Sequence, residues 1–295
     1  MRVFIFLTLA AIVNAISNNT SDYDPESITV YRYIERYAIP LGDRIRDKEE
    51  KASNEGRIIG GTPSVLGQFP YQAGILANYV NIFGTGVCGG ALVRNNRVLT
   101  AAHCWFDGRN QAAYFTVVLG SVTIFTGGTR LLTFQVASHP NFDPLTANND
   151  VAVVYLPLTV ATTNTIAPIF LPVGAETVEN YVGETVVVPG FGHTQDGGSI
   201  SNNQVLRHVN VTVISNEECQ FFYPQFIQPT NMCTNGYHGG PCRGDSGGPL
   251  VHTFFNRVIM VGIVSFNSGL GCELGLPTAA ARVGSYINFF SQHGV

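Results

Sequence analysis

Lysine is nearly missing: Lys48 and Lys51 are the only two, and none follows Arg57, where a domain of ordinary composition would carry roughly a dozen. Arginine keeps its charge well past about pH 11, whereas a free lysine loses its proton near about 10.4. The gap therefore points either to strongly alkaline surroundings, such as some gut lumens, or to drift and solubility selection. Charge of both signs is scarce, at 12% of residues with a formal net charge of -4, and no Lys/Arg-rich run exists. That excludes the electrostatic footprint a nucleic-acid partner requires. Long apolar runs are lacking too, apart from Val3 to Val13 behind Arg2. This run is short of the roughly 20 residues a membrane span needs. With Asn14-Ala15 behind it, it reads as a secretory signal over residues 1–15. The expectation is a soluble product outside the cytosol, with no membrane partner. Repeats and low-complexity tracts are absent as well.

What is present suits a large buried core: 45% hydrophobic residues and 32 glycines over 295 positions, long enough for two packed lobes. All six cysteines lie from Cys88 onward, and an even number in a secreted chain is ordinarily paired. Counting alone leaves about 15 connectivities open. Residues 16–57 form a polar leader, partly helical, around Arg44-Ile45-Arg46-Asp47-Lys48-Glu49-Glu50-Lys51, with overlapping glycosylation sequons at Asn18 and Asn19. At Arg57-Ile58-Ile59-Gly60-Gly61 the texture turns β-rich and glycine-punctuated. By itself this junction reads as a linker running into a strand.

Short β-branched and aromatic runs follow at 71–76, 91–93, 114–119, 121–125, 131–136, 151–156, 184–188, 205–213 and 258–265. Spacing near ten residues is that of a sandwich or barrel. Only Tyr286-Ile287-Asn288-Phe289-Phe290-Ser291 carries helical apolar spacing. The class is all-β with a C-terminal helix.

Gly244-Asp245-Ser246-Gly247-Gly248-Pro249 is poor strand material and places a serine on a tight loop. A serine hydroxyl is a weak nucleophile that needs a base, a group orienting the base, and donors for the oxyanion it creates. Ala101-Ala102-His103-Cys104 supplies a histidine that alone could be a packed or surface residue. Asn148-Asn149-Asp150, ahead of Val151-Ala152-Val153-Val154, supplies a carboxylate that alone could cap a strand.

Taken together and in this order, TAAHC, NND, GDSGGP and RIIGG resemble the chymotrypsin family of secreted serine proteases, over Ile58 to Val295. The resemblance implies two six-stranded antiparallel β-barrels, about 58–165 and 166–280, a helix about 283–292, and an active site in the cleft between the barrels. It implies His103 as base, Asp150 as its orienter, Ser246 as nucleophile, and the N–H groups of Gly244 and Ser246 as oxyanion hole. Cutting after Arg57 would free the Ile58 ammonium to pair with Asp245. The disulfides implied are Cys88–Cys104, Cys219–Cys233 and Cys242–Cys272. No leader cysteine corresponds to the tether of some family propeptides, which implies that the leader departs after the cut. Ser265 matches the family serine that bonds the buried aspartate, and reads equally well as a plain strand serine.

Gly240 stands where trypsins carry the pocket aspartate, while Asn267 and Thr278 stand where trypsins and chymotrypsins carry glycines. The pattern looks like that of pancreatic elastases and arthropod elastase- and chymotrypsin-like digestive enzymes. It implies cleavage after uncharged residues, small or medium aliphatics ahead of aromatics. Expected partners are protein or peptide substrates, a trypsin-like activator and proteinaceous inhibitors. No cofactor and no metal are expected, the acidic residues from Glu176 to Glu184 lacking an oxygen-ligand loop. A monomer is expected, with Asn210 a sequon in a predicted strand. The rival readings are a catalytically silent relative acting as a binding or regulatory protein, and a protease of an immune cascade.

Overall fold

A computed structural model describes residues 30–51, 62–193, 205–237 and 239–295. The signal segment, the sequons at Asn18 and Asn19, and the Arg57-Ile58 junction lie outside the described residues. Fourteen strands are described, in two antiparallel sheets of seven. The first runs in the order β6-β5-β2-β3-β4-β8-β7, where β2 is Gln72–Tyr79, β3 Thr85–Arg94, β4 Arg97–Thr100, β5 Ala112–Leu119, β6 Thr129–Thr133, β7 Val136–Ser138 and β8 Ala152–Tyr155. The run read from sequence as one strand over 131–136 is bent into two. β6 pairs with β5 and β7 with β8, so a single kinked segment closes the barrel. Counted that way, the first barrel has the expected six strands.

The second sheet contains β1 (Thr62–Pro63), β9 (Thr185–Gly190), β10 (Arg207–Ile214), β11 (Asn231–Thr234), β12 (Pro249–Phe254), β13 (Arg257–Asn267) and β14 (Thr278–Arg282). Its order is β1-β10-β11-β14-β13-β12-β9, and β9 also pairs with β10, which closes a ring of six. β1 is the extra member, attached to the outside of this second ring although it precedes the first barrel in sequence. The C-terminal helix expected from apolar spacing is a turn of 3-10 helix, Val283–Tyr286, continuing as α-helix over Ile287–Gln292. A seven-residue helix, Asn216–Phe222, is also present, begun by Ser215 accepting a hydrogen bond from the N–H of Glu218.

Alternation accounts for each barrel's interior. Val186, Val188, Val211, Val213, Ile259 and Val261 turn inward in the second barrel and are at most 3% exposed. Ile75, Leu92, Leu99, Phe115 and Val153 do the same in the first. Each such side chain contributes on the order of 1.5–3 kcal/mol by leaving water.

One expectation from the sequence needs correction and another is extended. Residues 121–125 form no strand: Ser121 Oγ accepts the N–H of Thr123, and the N–H groups of Ile124 and Phe125 go to the Glu49 carboxylate. With their donors taken locally, these residues have nothing to offer a ladder. The leader, read as polar and partly helical, is helical over most of residues 30–51 and is packed rather than exposed. A π-helical turn (Ile34–Ala38) leads into an α-helix (Ile39–Lys51), and Ile34, Ala38, Leu41 and Ile45 are fully buried. Their spacing of four, three and four residues makes one apolar stripe along a helix.

Candidate active site

His103 sits in a one-turn 3-10 helix, Ala102–Cys104, immediately beyond β4. The Cys88–Cys104 disulfide ties that turn to β3, and Ala101 and Ala102 pack without exposure. Asp150 follows Asn149, whose φ of 56° turns the chain sharply into β8. Its Oδ2 accepts hydrogen bonds from His103 Nδ1 at 2.7 Å and from Ser265 Oγ at 2.6 Å, while Oδ1 accepts the His103 backbone N–H at 2.9 Å. All three residues are buried.

A carboxylate is only an acceptor, so the hydrogen between His103 and Asp150 is assigned to Nδ1. Nε2 is then left with a lone pair aimed toward the cleft, which is what a general base needs. Of the two readings Ser265 allowed, the hydrogen bond to Asp150 is the one realised.

Ser246, 5% exposed, rides on the loop ahead of β12. That loop is held to the first barrel by the Gly89 N–H donating to the Ser246 carbonyl at 2.7 Å, and to β13 by the Gly247 N–H donating to Val264 O at 2.8 Å. The Cys242–Cys272 disulfide fastens its near end, and Cys219–Cys233 is formed as well. Gly244 has φ of +95°, a conformation that L side chains rarely adopt, and its N–H points into the cleft. Asp245 turns the other way. Its Oδ1 accepts from Gly192 N–H at 2.7 Å and its Oδ2 from Cys242 N–H at 2.9 Å. Burial outweighs these two bonds and pushes its pKa up to about 6.

The two barrels thus bring His103, Asp150, Ser265, Ser246 and Gly244 to one cleft. One link of the expected chain is not made. His103 Nε2 is buried without a hydrogen-bond partner among the described residues. The hydroxyl of Tyr33, from the leader, instead accepts the Gly244 N–H at 3.1 Å, and Tyr33 lines the same cleft as Ser246. Sequence reasoning missed Tyr33. The available signal was its place at the head of the stripe of Ile34, Ala38, Leu41 and Ile45, which marks the leader as packed rather than free.

At the other side of Ser246, Asn267 Nδ2 reaches across to Pro241 O at 3.2 Å. Thr278 is buried, and a Cβ built on Gly240 would lie 3.7 Å from its Oγ1. No carboxylate stands at Gly240. The three sulfur and imidazole groups of Cys88, Cys104 and His103 lie close together, but both sulfurs are spent in the disulfide, so they offer a metal no thiolate.

Twin antiparallel barrels with a histidine–aspartate pair facing a loop serine define a chymotrypsin-like serine hydrolase. The family model described as Trypsin matches residues 58–290, and the chain belongs to that family of serine proteases. It is 37% identical over 244 residues to a collagenase from Hypoderma lineatum, covering 81% of this chain and 88% of that one. It is 34% identical over 243 residues to brachyurin from Leptuca pugilator, covering 81% and 99%. A solved structure of HL collagenase superposes with a TM-score of 0.73 at 36% identity, covering 81% of this chain and 99% of that one.

Proposed function

We propose that this protein is a secreted serine endopeptidase, made as a precursor, cut after Arg57, and selective for bonds that follow uncharged residues. The observation that carries the reading is the chain of hydrogen bonds from Ser265 through Asp150 to His103, ending beside Ser246 and the Gly244 N–H. In the proposed mechanism His103 Nε2 takes the Ser246 proton as Oγ attacks the peptide carbonyl. The N–H groups of Gly244 and Ser246 receive the oxyanion, and the imidazolium returns its proton to the leaving amine. Asp150 keeps Nδ1 protonated and balances the transient positive charge. Arg57 as the cut site requires an Arg-specific activator.

The test is to cut the chain with trypsin, remove trypsin and leader, and treat the product with diisopropyl fluorophosphate. Labelling confined to Ser246, with peptide cleavage lost in proportion, is the expected result. Absence of labelling would favour a catalytically silent relative acting by binding.

Specificity follows from the wall residues. Asn267 spans the pocket to Pro241, so a large aromatic ring has little depth to enter, and no acid at Gly240 awaits Arg or Lys. Small and medium aliphatics fit best. Asn267→Gly is expected to raise kcat/KM for phenylalanine relative to alanine by about 10-fold or more, since each methylene's worth of space changes discrimination by about 1–3 kcal/mol. A p-nitroanilide panel differing only at the residue before the cut reads this directly. Fastest turnover after arginine would overturn the assignment. Given the collagenase and brachyurin among its relatives, collagen belongs among the protein substrates to be tested. A digestive role in an alkaline lumen is the biological setting we propose, on the absence of lysine after Arg57, and an activity optimum below about pH 8 would argue against it.

A further inference from the structure

We infer that the leader is an active-site inhibitor in its own right, so that after the cut at Arg57 it remains a noncovalent ligand of the cleft that must dissociate before the enzyme works. This rests on the proposed protease reading. The contacts fall in three groups, all between residues 30 and 51. At the cleft, which Tyr33 lines together with Ser246, the Tyr33 hydroxyl accepts the Gly244 N–H, and its ring meets the His103 ring edge-on with centroids 4.5 Å apart. Arg243 lies over the Tyr37 ring at 4.0 Å. Beside the cleft, the fully buried Asp107 takes the Ile34 N–H on Oδ2 at 2.8 Å, and its carbonyl takes the Arg32 N–H at 3.1 Å. At the far end of the helix, the Glu49 carboxylate accepts from the N–H groups of Ile124 and Phe125 and from Thr126 Oγ1.

The chemistry of Tyr33 suits an inhibitor that cannot be consumed. Its oxygen occupies a donor that would receive a developing oxyanion, yet it belongs to a phenol, with no carbonyl carbon for Ser246 to attack. With Tyr33 in place, His103 Nε2 is buried with no hydrogen-bond partner among the described residues. Burial holds the phenol neutral, its pKa raised to about 12. The fit is close along the helix as well: a Cβ added at Gly42 would fall 1.7 Å from Thr85 O, so the leader lies directly on β3.

Arg57 lies six positions beyond Lys51, the last helical residue, so the cut severs none of these contacts. What it changes is molecularity. A tethered ligand acts at an effective concentration of order millimolar for a short linker, while a released one is subject to dilution. The absence of a leader cysteine, which implied departure, thus permits departure without enforcing it.

The experiment uses the full chain cut by trypsin, trypsin then being removed, and assays a small uncharged-residue p-nitroanilide across a dilution series. Wild type is expected to gain specific activity on dilution, and at high concentration the leader is expected to co-elute with the body on gel filtration. Tyr33→Ala should weaken the inhibition roughly 100-fold or more, through the lost ring packing. Tyr33→Phe should weaken it about 10-fold, through the lost hydrogen bond from the Gly244 N–H. Glu49→Gln, remote from the cleft, should also weaken it, by loosening the far end of the helix. Specific activity independent of dilution and equal in all four proteins, with the leader eluting alone, would overturn the inference. A distinct failure belongs to the protease reading: cut Tyr33→Ala that is correctly folded yet inactive and unlabelled by diisopropyl fluorophosphate at every dilution.

Discussion

Replacing Ser246 by alanine is expected to lower kcat on peptide substrates by roughly 10⁴–10⁶-fold in the cut, leader-free protein, with little change in KM. Ser246 carries the hydroxyl that, in the proposed mechanism, forms the acyl bond. The β12 loop is held by backbone hydrogen bonds from Gly89 and Gly247 rather than by the serine side chain, so the variant should keep its fold. Ser246 is 5% exposed, and removing one oxygen leaves a space too small to cost much packing.

His103→Ala should be about as damaging, and the double variant scarcely worse than either single one, because nucleophile and base act as one unit. Stopped-flow and steady-state assays of the three proteins give the comparison. Independent, multiplying losses would show that Ser246 and His103 do not share a proton. A residual rate over water of roughly 10³–10⁴-fold is still expected, from binding and the oxyanion donors.

Much of this site was legible in the sequence. TAAHC, NND and GDSGGP pointed to three side chains, of which the structure joins His103 to Asp150 and leaves His103 Nε2 with no hydrogen bond to Ser246. The disulfides followed from the resemblance, and Cys88–Cys104, Cys219–Cys233 and Cys242–Cys272 are all formed. Long β-branched runs such as β10 and β13 read clearly by propensity and length, β13 being buried without a break from Ile259 to Phe266. The strands missed were short or lacked alternation: β11 is Asn231–Thr234 and buried throughout, and β14 is mostly alanine. The stretch 121–125 misled because β-branched residues fit a strand by propensity, while the deciding partner, Glu49, lies 75 residues or more away. The leader misled in the opposite sense. Its charges dominate its composition, and the four buried positions Ile34, Ala38, Leu41 and Ile45 show only when the segment is read at helical period. Tyr33 was illegible as a ligand because nothing local says which cleft its hydroxyl enters.

Asp245→Ala is expected to cost the cut enzyme on the order of 10²–10³-fold in kcat/KM, measured in the Tyr33→Ala background so that leader binding does not intrude. Removing one partner of a buried ion pair leaves the other uncompensated, at about 3–5 kcal/mol, and the proposed Ile58 ammonium would then leave its site and release the oxyanion loop. The uncut chain carries the mirror image of this argument. There Asp245 accepts from the Gly192 and Cys242 N–H groups, and burial raises its pKa to about 6 from an ordinary 3.8. Between those values the folded chain holds a proton that the unfolded chain has released. Its contribution to stability is therefore full below about pH 4 and lost as pH rises through 6, a change of about 3 kcal/mol. Urea unfolding of the uncut protein at pH 4 and pH 7 should show this slope, and Asp245→Ala should flatten it. In the cut enzyme the sign reverses, because an ammonium beside the carboxylate lowers the Asp245 pKa and has its own raised. The active arrangement then holds from mildly acid pH upward and fails only as pH climbs through the raised ammonium value, above the ordinary range of about 7.7–8.0. An uncut chain that buries this carboxylate at neutral pH and a cut chain that sets an ammonium beside it give the same residue opposite slopes, which measurement on the two forms side by side will separate.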